Sequence, residues 1–431
     1  MKIGIIADDL TGANDSGVQL TRSGLNTSVR FDLKNANVQQ DDAIVLDTDS
    51  RSISPEKAYT RVVEAAQFLK EEKIDIIYKK IDSTLRGNLG VELDAVYDVF
   101  KPDFVVMAPG YPVNGRTVMD GKHYLHGTLL HETEISRDPK CPVTESYIPK
   151  LLQDQTKRNI GHISTTLLAE GYNTVKAALD EYKNAGTAYV LFDSATEHDL
   201  ELIAQYIKQS RFSVVWLGSA GLANYLPQVY HLEKEKQTVT IPHSNKPVLL
   251  VVGSVTSVSR KQLDHFLAQK GVQGIGIDST ELVSTVERRS KELELGFREA
   301  VKAYKEGHHV AIYSTGDREA IRQAQEEGAK QGLSHTDVSN AVVAGVGKIV
   351  SELLEETELQ GIIMTGGDTA KQICDQIGVT GIHLIDEVET GVPIGQLIGR
   401  YPIYAVTKAG AFGSEATFTL SKERIQGGNQ L

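Results

Sequence analysis

Short, β-branched apolar runs alternate with helical patterns along most of the chain, and this predicts an α/β fold. The class is two doubly wound, mainly parallel-sheet domains joined by a polar linker. One break in the alternation carries the two-domain part of this reading. Residues 227–246 are polar and charged, with no sustained period, and the pattern restarts after them. The expected domains are therefore 1–228 and 247–431.

Each element has a local signal. Ile3–Ala7, Ile44–Leu46, Ile74–Tyr78, Phe104–Met107, Ala188–Phe192 and Ser213–Leu217 read as buried strands, short and bounded by Gly, Pro or Asp. A first helix spans about Thr11–Ser23 and is closed by Gly24. Ser54-Pro55 opens a second, with Ser as N-cap and Pro at the first helical position, running to about Glu72. Beyond the linker, strands are expected at Pro247–Gly253, Gln273–Ile277, Val310–Ser314, Gly361–Thr365, Ile382–Ile385 and Ile403–Thr407. Helices of good period lie at about 286–306, 317–331 and 337–356.

Composition narrows the function. The 431 residues carry 45 Lys+Arg against 57 Asp+Glu, a formal net charge of −12. That excess disfavours nucleic acid and anionic membrane as partners. No apolar run approaches the ~20 residues of a membrane span. The N-terminal MKIGIIADDL stops at two aspartates, too short for a signal peptide, so a cytoplasmic protein is expected. Cys141 and Cys374 lack CxxC spacing and fit a reducing compartment. His123, His126 and His131 read as ordinary loop histidines, and His308-His309 as solvated ones.

Ligands of open α/β sheets bind beyond the carboxyl ends of the strands. After the first strand, ADDLTGAND places Asp8 and Asp9 at the tip. Two carboxylates there call for a cation, sugar hydroxyls or a basic partner, whereas helix capping explains only one of them. After the Ile74–Tyr78 strand, KKIDSTLRGNLG offers Lys79, Lys80 and Arg86 with Asp82, Ser83 and Thr84, a pocket for a hydroxylated anion. Arg51 reaches the same edge. The APGYPVNGRTVMDG loop, rich in Pro and Gly, is expected to wall that cleft. LGSAGLA puts Gly218-Ser219 at another helix start.

The second half repeats strand, Gly-hydroxyl turn and helix in VVGSVTSVSRKQL, STGDREAI and MTGGDTAKQI, with TKAGAFG after the last strand. Such turns gather backbone N–H groups and positive helix ends, which suits phosphates. AGVGKI (344–349) fails as a Walker turn, since it lacks the earlier Gly and the Ser/Thr after Lys348. GIGIDS (274–279) lacks the third Gly of a dinucleotide fingerprint. The residues thus point to a kinase acting on a small hydroxylated anion, with nucleotide on the C-terminal domain. A nucleotide-independent acid-sugar lyase or isomerase using Lys79 or Lys80 as base, and a non-catalytic binding protein, are the alternatives.

At ADDLTGAND, KKIDSTLRGN, APGYPVNGRT, TGGDT and KAGAFG the sequence resembles the four-carbon acid sugar kinases, formerly a domain of unknown function. The resemblance covers essentially the whole chain. It implies a tetronate site on the first domain, an ATP site on the second, and phosphorylation of D-threonate, D-erythronate or 3-oxo-tetronate at O4. Ala13-Asn14-Asp15-Ser16-Gly17 looks more like the D-threonate kinases. Carried over, substrate contacts fall on Asp9, Arg51, Lys80, Ile81, Asp82 and Ser83, and nucleotide contacts on Ser254, Gly366, Gly367, Asp368, Thr369 and Gly410. Chemistry alone adds Asp8, Lys79 and Arg86. Mg²⁺ would bridge the phosphates, and Asp8, Asp9 and Asp368 compete as its ligand and as base. Arg51 and a lysine would pair with the tetronate carboxylate, and closure across the linker would join the two sites. A homodimer is compatible with this reading.

Overall fold

The computed structural model describes residues 1–33, 38–138, 140–235, 239–253, 256–316 and 318–428, with Asp368 described by its backbone alone. It divides into two compact units, Met1–Gln237 and Thr238–Leu431.

In the first unit the strands are β1 (Ile3–Ala7), β2 (Thr27–Arg30), β3 (Ala43–Asp47), β4 (Ile76–Lys80), β5 (Phe104–Ala108), β6 (Arg116–Met119), β7 (Lys122–Leu125), β8 (Thr128–Leu129), β9 (Ile160–Ile163), β10 (Tyr189–Phe192) and β11 (Val214–Gly218). The main sheet runs β2-β3-β1-β4-β11-β5-β10-β9. Its pairings are all parallel. Helices cover such a sheet, so its central strands are buried throughout, which is why they read as unbroken apolar runs. β6–β8 form a separate antiparallel sheet.

Several expectations shift. β4 lies two residues later than Ile74–Tyr78, because parallel pairing with β1 runs from Ile3↔Ile76 to Ala7↔Lys80 and draws both lysines into the sheet. β2, the β6–β8 sheet and β9 go unseen in the sequence. They are two to four residues long and mix polar with apolar positions. The first helix, Leu10–Arg22, begins with Asp9 as N-cap, and Gly24 follows it at φ 83°. The second, Pro55–Glu71, starts where expected, but the Ser54 side chain makes no capping bond, so proline's preset φ is the effective signal.

The second unit contains β12 (Val248–Val252), β13 (Val272–Ile277), β14 (His309–Ser314), β15 (Gly361–Thr365), β16 (Val379–Glu389), β17 (Val392–Gly399) and β18 (Tyr404–Lys408). The order is β13-β14-β12-β15-β18-β17-β16. The first four pairings are parallel and the last two antiparallel. The expected short strand at Ile382–Ile385 is thus the middle of a long hairpin arm. Helices Val286–Lys305, Arg318–Lys330 and His335–Glu356 match the periodic segments. The last starts two residues early, on a capping box of Ser334 and Asp337. AGVGKI lies inside it.

Each unit packs its own core: Ile6, Leu46, Val62, Leu93 and Val105 belong to the first, and Leu250, Phe266, Ile363, Val406 and Phe418 to the second. Two histidine readings are corrected. His123 is fully buried on β7 rather than in a loop. His309 opens β14 and accepts a bond from the Val248 N–H at 3.0 Å instead of facing solvent. Among the described residues no helix is long and apolar enough to cross a membrane.

Candidate active site

Register brings the carboxyl ends of three adjacent strands level, for Ala7 of β1 sits opposite Asp47 of β3 and Lys80 of β4. The segments leaving these three strands therefore meet at one edge. The backbone N–H groups of Ser50 and Arg51 donate to the Asp8 carbonyl, at 2.9 and 3.2 Å, which folds the segment after β3 back over the tip of β1. Asn88 Nδ2 donates to the carbonyls of Ser50 and Ile53, both at 2.9 Å, and holds that loop.

Arg51 is the hub. Its Nε and Nη2 donate to Asp8 at 2.7 and 3.1 Å, and its Nη1 and Nη2 to Asp9 at 2.8 and 2.6 Å. Four of the five guanidinium N–H groups are thereby taken. The expected pairing of Arg51 with a substrate carboxylate has one remaining Nη1–H to work with, so its main business here is to hold two aspartates side by side.

The two aspartates differ. Asp8 is buried; burial alone would raise its pKa, but Arg51 and then Lys79 outweigh it and hold the carboxyl below its usual range. In Asp9 burial dominates and the repulsion of Asp8 adds to it, so its pKa is raised despite Arg51. Asp9 also caps the first helix, accepting the Gly12 N–H at 2.9 Å. Its side chain is 26% exposed against 2% for Asp8. Asp9 is the carboxylate a substrate can reach.

The two lysines part company, as neighbours in a strand must. Lys79 Nζ is buried in an ion pair with Glu92 at 2.8 Å. Glu92 in turn accepts from Ser50 Oγ at 2.6 Å. Lys79 therefore supports the site from within rather than lining it, and its Nζ is badly placed to serve as a lyase base. Lys80 Nζ donates to the Ile81 carbonyl at 3.0 Å. A Cβ on Gly12 would lie 2.8 Å from that Nζ and 2.6 Å from Asp9 Oδ1, which places the Lys80 ammonium and the Asp9 carboxylate around one glycine.

Asp82 and Arg86 lock the next turn. Arg86 Nε and Nη2 donate to Asp82 at 2.7 and 3.1 Å, and Nη1 to Asp138 at 3.0 Å. Burial raises the Asp82 pKa, but Arg51 and Arg86 overcome this and hold the carboxyl far below normal. Ile81 is buried, and the Ser83 carbonyl faces His123 Nε2 at 2.8 Å. The β6–β7 hairpin, which begins within APGYPVNGRT, thus packs on the turn through His123. A polar cavity of about 330 Å³ adjoins this region, lined by Arg51, Ser52, Leu85, Gly87, Asn88 and Cys141 among others.

In the second unit Val252, Thr365 and Lys408 are also level. The turns after β12, β15 and β18 therefore converge. Gly253 is the close approach: a Cβ there would stand 2.0 Å from Thr369 Oγ1. Gly366 opens the helix Gly367–Gln376 at φ 98°. The Gly410 carbonyl accepts from Thr256 Oγ1 and Ser259 Oγ, both at 2.9 Å. Ser254 and the Asp368 side chain lie outside the described residues. A cavity of about 120 Å³ starts beside this turn, lined by Gly253 and Thr369 together with Ile321, Ala324, Val338, Val342 and Val346. Thr256 and Ser259 lie in VVGSVTSVSRKQL and Lys408 in TKAGAFG, but the sequence marks none of the three as a site residue.

A family model described as a sugar-binding N-terminal domain matches residues 3–226, and one described as a nucleotide-binding C-terminal domain matches 249–418. A D-erythronate kinase of Heliobacterium modesticaldum is 33% identical over 95% of this chain and 94% of its own length. The chain belongs to the four-carbon acid sugar kinase family. As a member it is an enzyme, a phosphotransferase acting on a sugar-acid hydroxyl. A D-threonate kinase of Salmonella typhimurium is 29% identical over 97% of this chain and 96% of its own. A solved structure from Salmonella typhimurium LT2, 26% identical, covers 98% of both chains at a TM-score of 0.83.

Proposed function

We propose that this kinase transfers the γ-phosphoryl group of ATP to the 4-hydroxyl of a four-carbon sugar acid, with D-threonate as first choice. The observation that carries the reading is the edge shared by β3, β1 and β4, where Asp9 and Lys80 stand around Gly12 and Arg51 fixes the carboxylate. Lys80 keeps two ammonium donors for an acid's oxygens after its one bond to Ile81. Asp9 is assigned as the base toward the acceptor hydroxyl, because a raised pKa and exposure favour proton uptake. Asp8 keeps Arg51 in place, and Asp82 with Arg86 shapes the turn that carries Ile81 and Ser83.

The nucleotide is assigned to the second unit. Gly366, Gly367, Thr369 and Gly410, with Ser254 and Asp368 from the sequence, would hold the phosphates. The apolar cavity beside Gly253 and Thr369 suits a base. Mg²⁺ would neutralise phosphate oxygens during transfer, with Asp368 the carboxylate the sequence offers it. Among the described residues no three His, Cys, Asp or Glu side chains gather as a metal centre, and the Asp368 side chain lies outside them.

Ala13–Gly17 supports D-threonate, while the 33% identity to a D-erythronate kinase favours D-erythronate as a second reading. A coupled ADP-release assay over D-threonate, D-erythronate and 3-oxo-tetronate ranks them by kcat/KM. Absence of ADP release with every tetronate would overturn the proposal.

A further inference from the structure

Lys408, at the end of β18, is 3% exposed. Its Nζ lies 3.2 Å from the Gly410 carbonyl, 3.3 Å from Thr365 Oγ1 and 3.5 Å from Ser259 Oγ, all long contacts for an ammonium. The face of Phe418 lies 5.5 Å away. Among the described residues no carboxylate stands within ion-pair distance. Glu389 acts on it only from farther off, its own oxygen taken by Thr417 Oγ1 and the Ser414 N–H. A buried ammonium with weak neutral partners and no counter-ion is costly. By contrast Lys79, also deeply buried, is matched by Glu92 at 2.8 Å.

Position supplies the reason. Lys408 is level with Thr365 and Val252, the last residues before the Gly366 and Gly253 turns, and two residues before Gly410. We propose that Lys408 is the cation that binds the nucleotide's phosphate oxygens, its counter-charge arriving with the ligand. This rests on placing the nucleotide in the second unit. Ser259, Thr365 and Gly410 keep the ammonium aimed at the cradle until phosphate replaces one of their weak bonds.

The test uses the full chain and Lys408→Met, which keeps length and apolar stem but removes the charge. Calorimetric titration with Mg-ADP and with adenosine separates phosphate from base. The expected result is an ADP affinity lowered tenfold or more, adenosine affinity within about twofold, and a Tm equal to or above wild type, since the empty fold no longer buries a lone charge. A lysine serving only packing would lower Tm and leave the ratio of ADP to adenosine affinity unchanged, and that result overturns the proposal. Wild-type ADP affinity in the variant does so too. Should Lys408→Met not fold, Lys408→Gln carries the same titrations; failure of both to fold overturns the proposal, which makes the charge a burden on the empty protein. If the wild-type chain itself binds no Mg-ADP, the nucleotide assignment fails, a result distinct from the others.

Discussion

At Arg51 four hydrogen bonds to two carboxylates decide how the first unit's site is built. Removing the guanidinium leaves Asp8 and Asp9 facing each other partly desolvated. Arg51→Ala is therefore expected to cost about 3 kcal/mol of stability, measured by urea unfolding at pH 7, and not merely affinity for the acid. A variant as stable as wild type would return Arg51 to the role of a simple substrate contact. Asp9→Asn keeps the helix cap but cannot take a proton. Its kcat/KM for the best tetronate should fall on the order of 10²–10⁴, and wild-type kinetics would discard the base assignment. The residue types at this edge were legible from the sequence: aspartates after one strand, lysines and Arg86 near another. Which lysine stands beside Asp9 was not, because β4 extends through Lys80, which places Lys79 against Glu92 and leaves Lys80 next to Asp9.

Among the elements, the first helix and the β6–β7 hairpin bear most directly on the site. Gly12 lies in the first turn of Leu10–Arg22, where a Cβ would press on the Asp9 carboxylate and the Lys80 ammonium. Asp9 Oδ1 also caps this helix and accepts from Arg51, so Gly12→Ala should fold with a modestly lowered Tm and raise KM for the acid at least tenfold; unchanged KM would show that Asp9 and Lys80 do not share a ligand. The hairpin holds His123, whose burial, partly offset by the Ser83 carbonyl, lowers its pKa from 6.5 to about 4. The unfolded chain takes up a proton that the folded one refuses. Stability from neutral His123 is fully present above pH 6.5 and is lost as pH falls through 6.5 toward 4. A shift of that size is on the order of 3 kcal/mol when complete. Urea unfolding at pH 7 and pH 4.5 should show a drop that shrinks by about 2 kcal/mol in His123→Asn. An equal drop in both proteins would assign the acid sensitivity elsewhere. Neither the hairpin nor its tie to Ser83 was visible beforehand, since strands of four mixed residues carry no period to read.

Across the whole molecule the chain forms two units, 1–237 and 238–431, each with its own core, and the proposed function seats one ligand on each. Mg-ADP is accordingly expected to bind the full chain with no sugar acid present, and a tetronate with no nucleotide present, both read by calorimetry. An absolute requirement of one ligand for the other would contradict independent seats. Fully buried strands such as Val248–Val252 and Gly361–Thr365, the break near 227–246 and the glycine turns were readable from residue order alone, because burial on both faces and tight strand–helix turns demand particular residue types locally. The partnership of Arg51 with two aspartates, the sequestering of Lys79 and the uncompensated charge of Lys408 arise instead from strand register. Register is settled by parallel pairing between segments far apart in sequence, Ile3 with Ile76 and Val248 with Gly361, a distance over which no local pattern of side chains carries information.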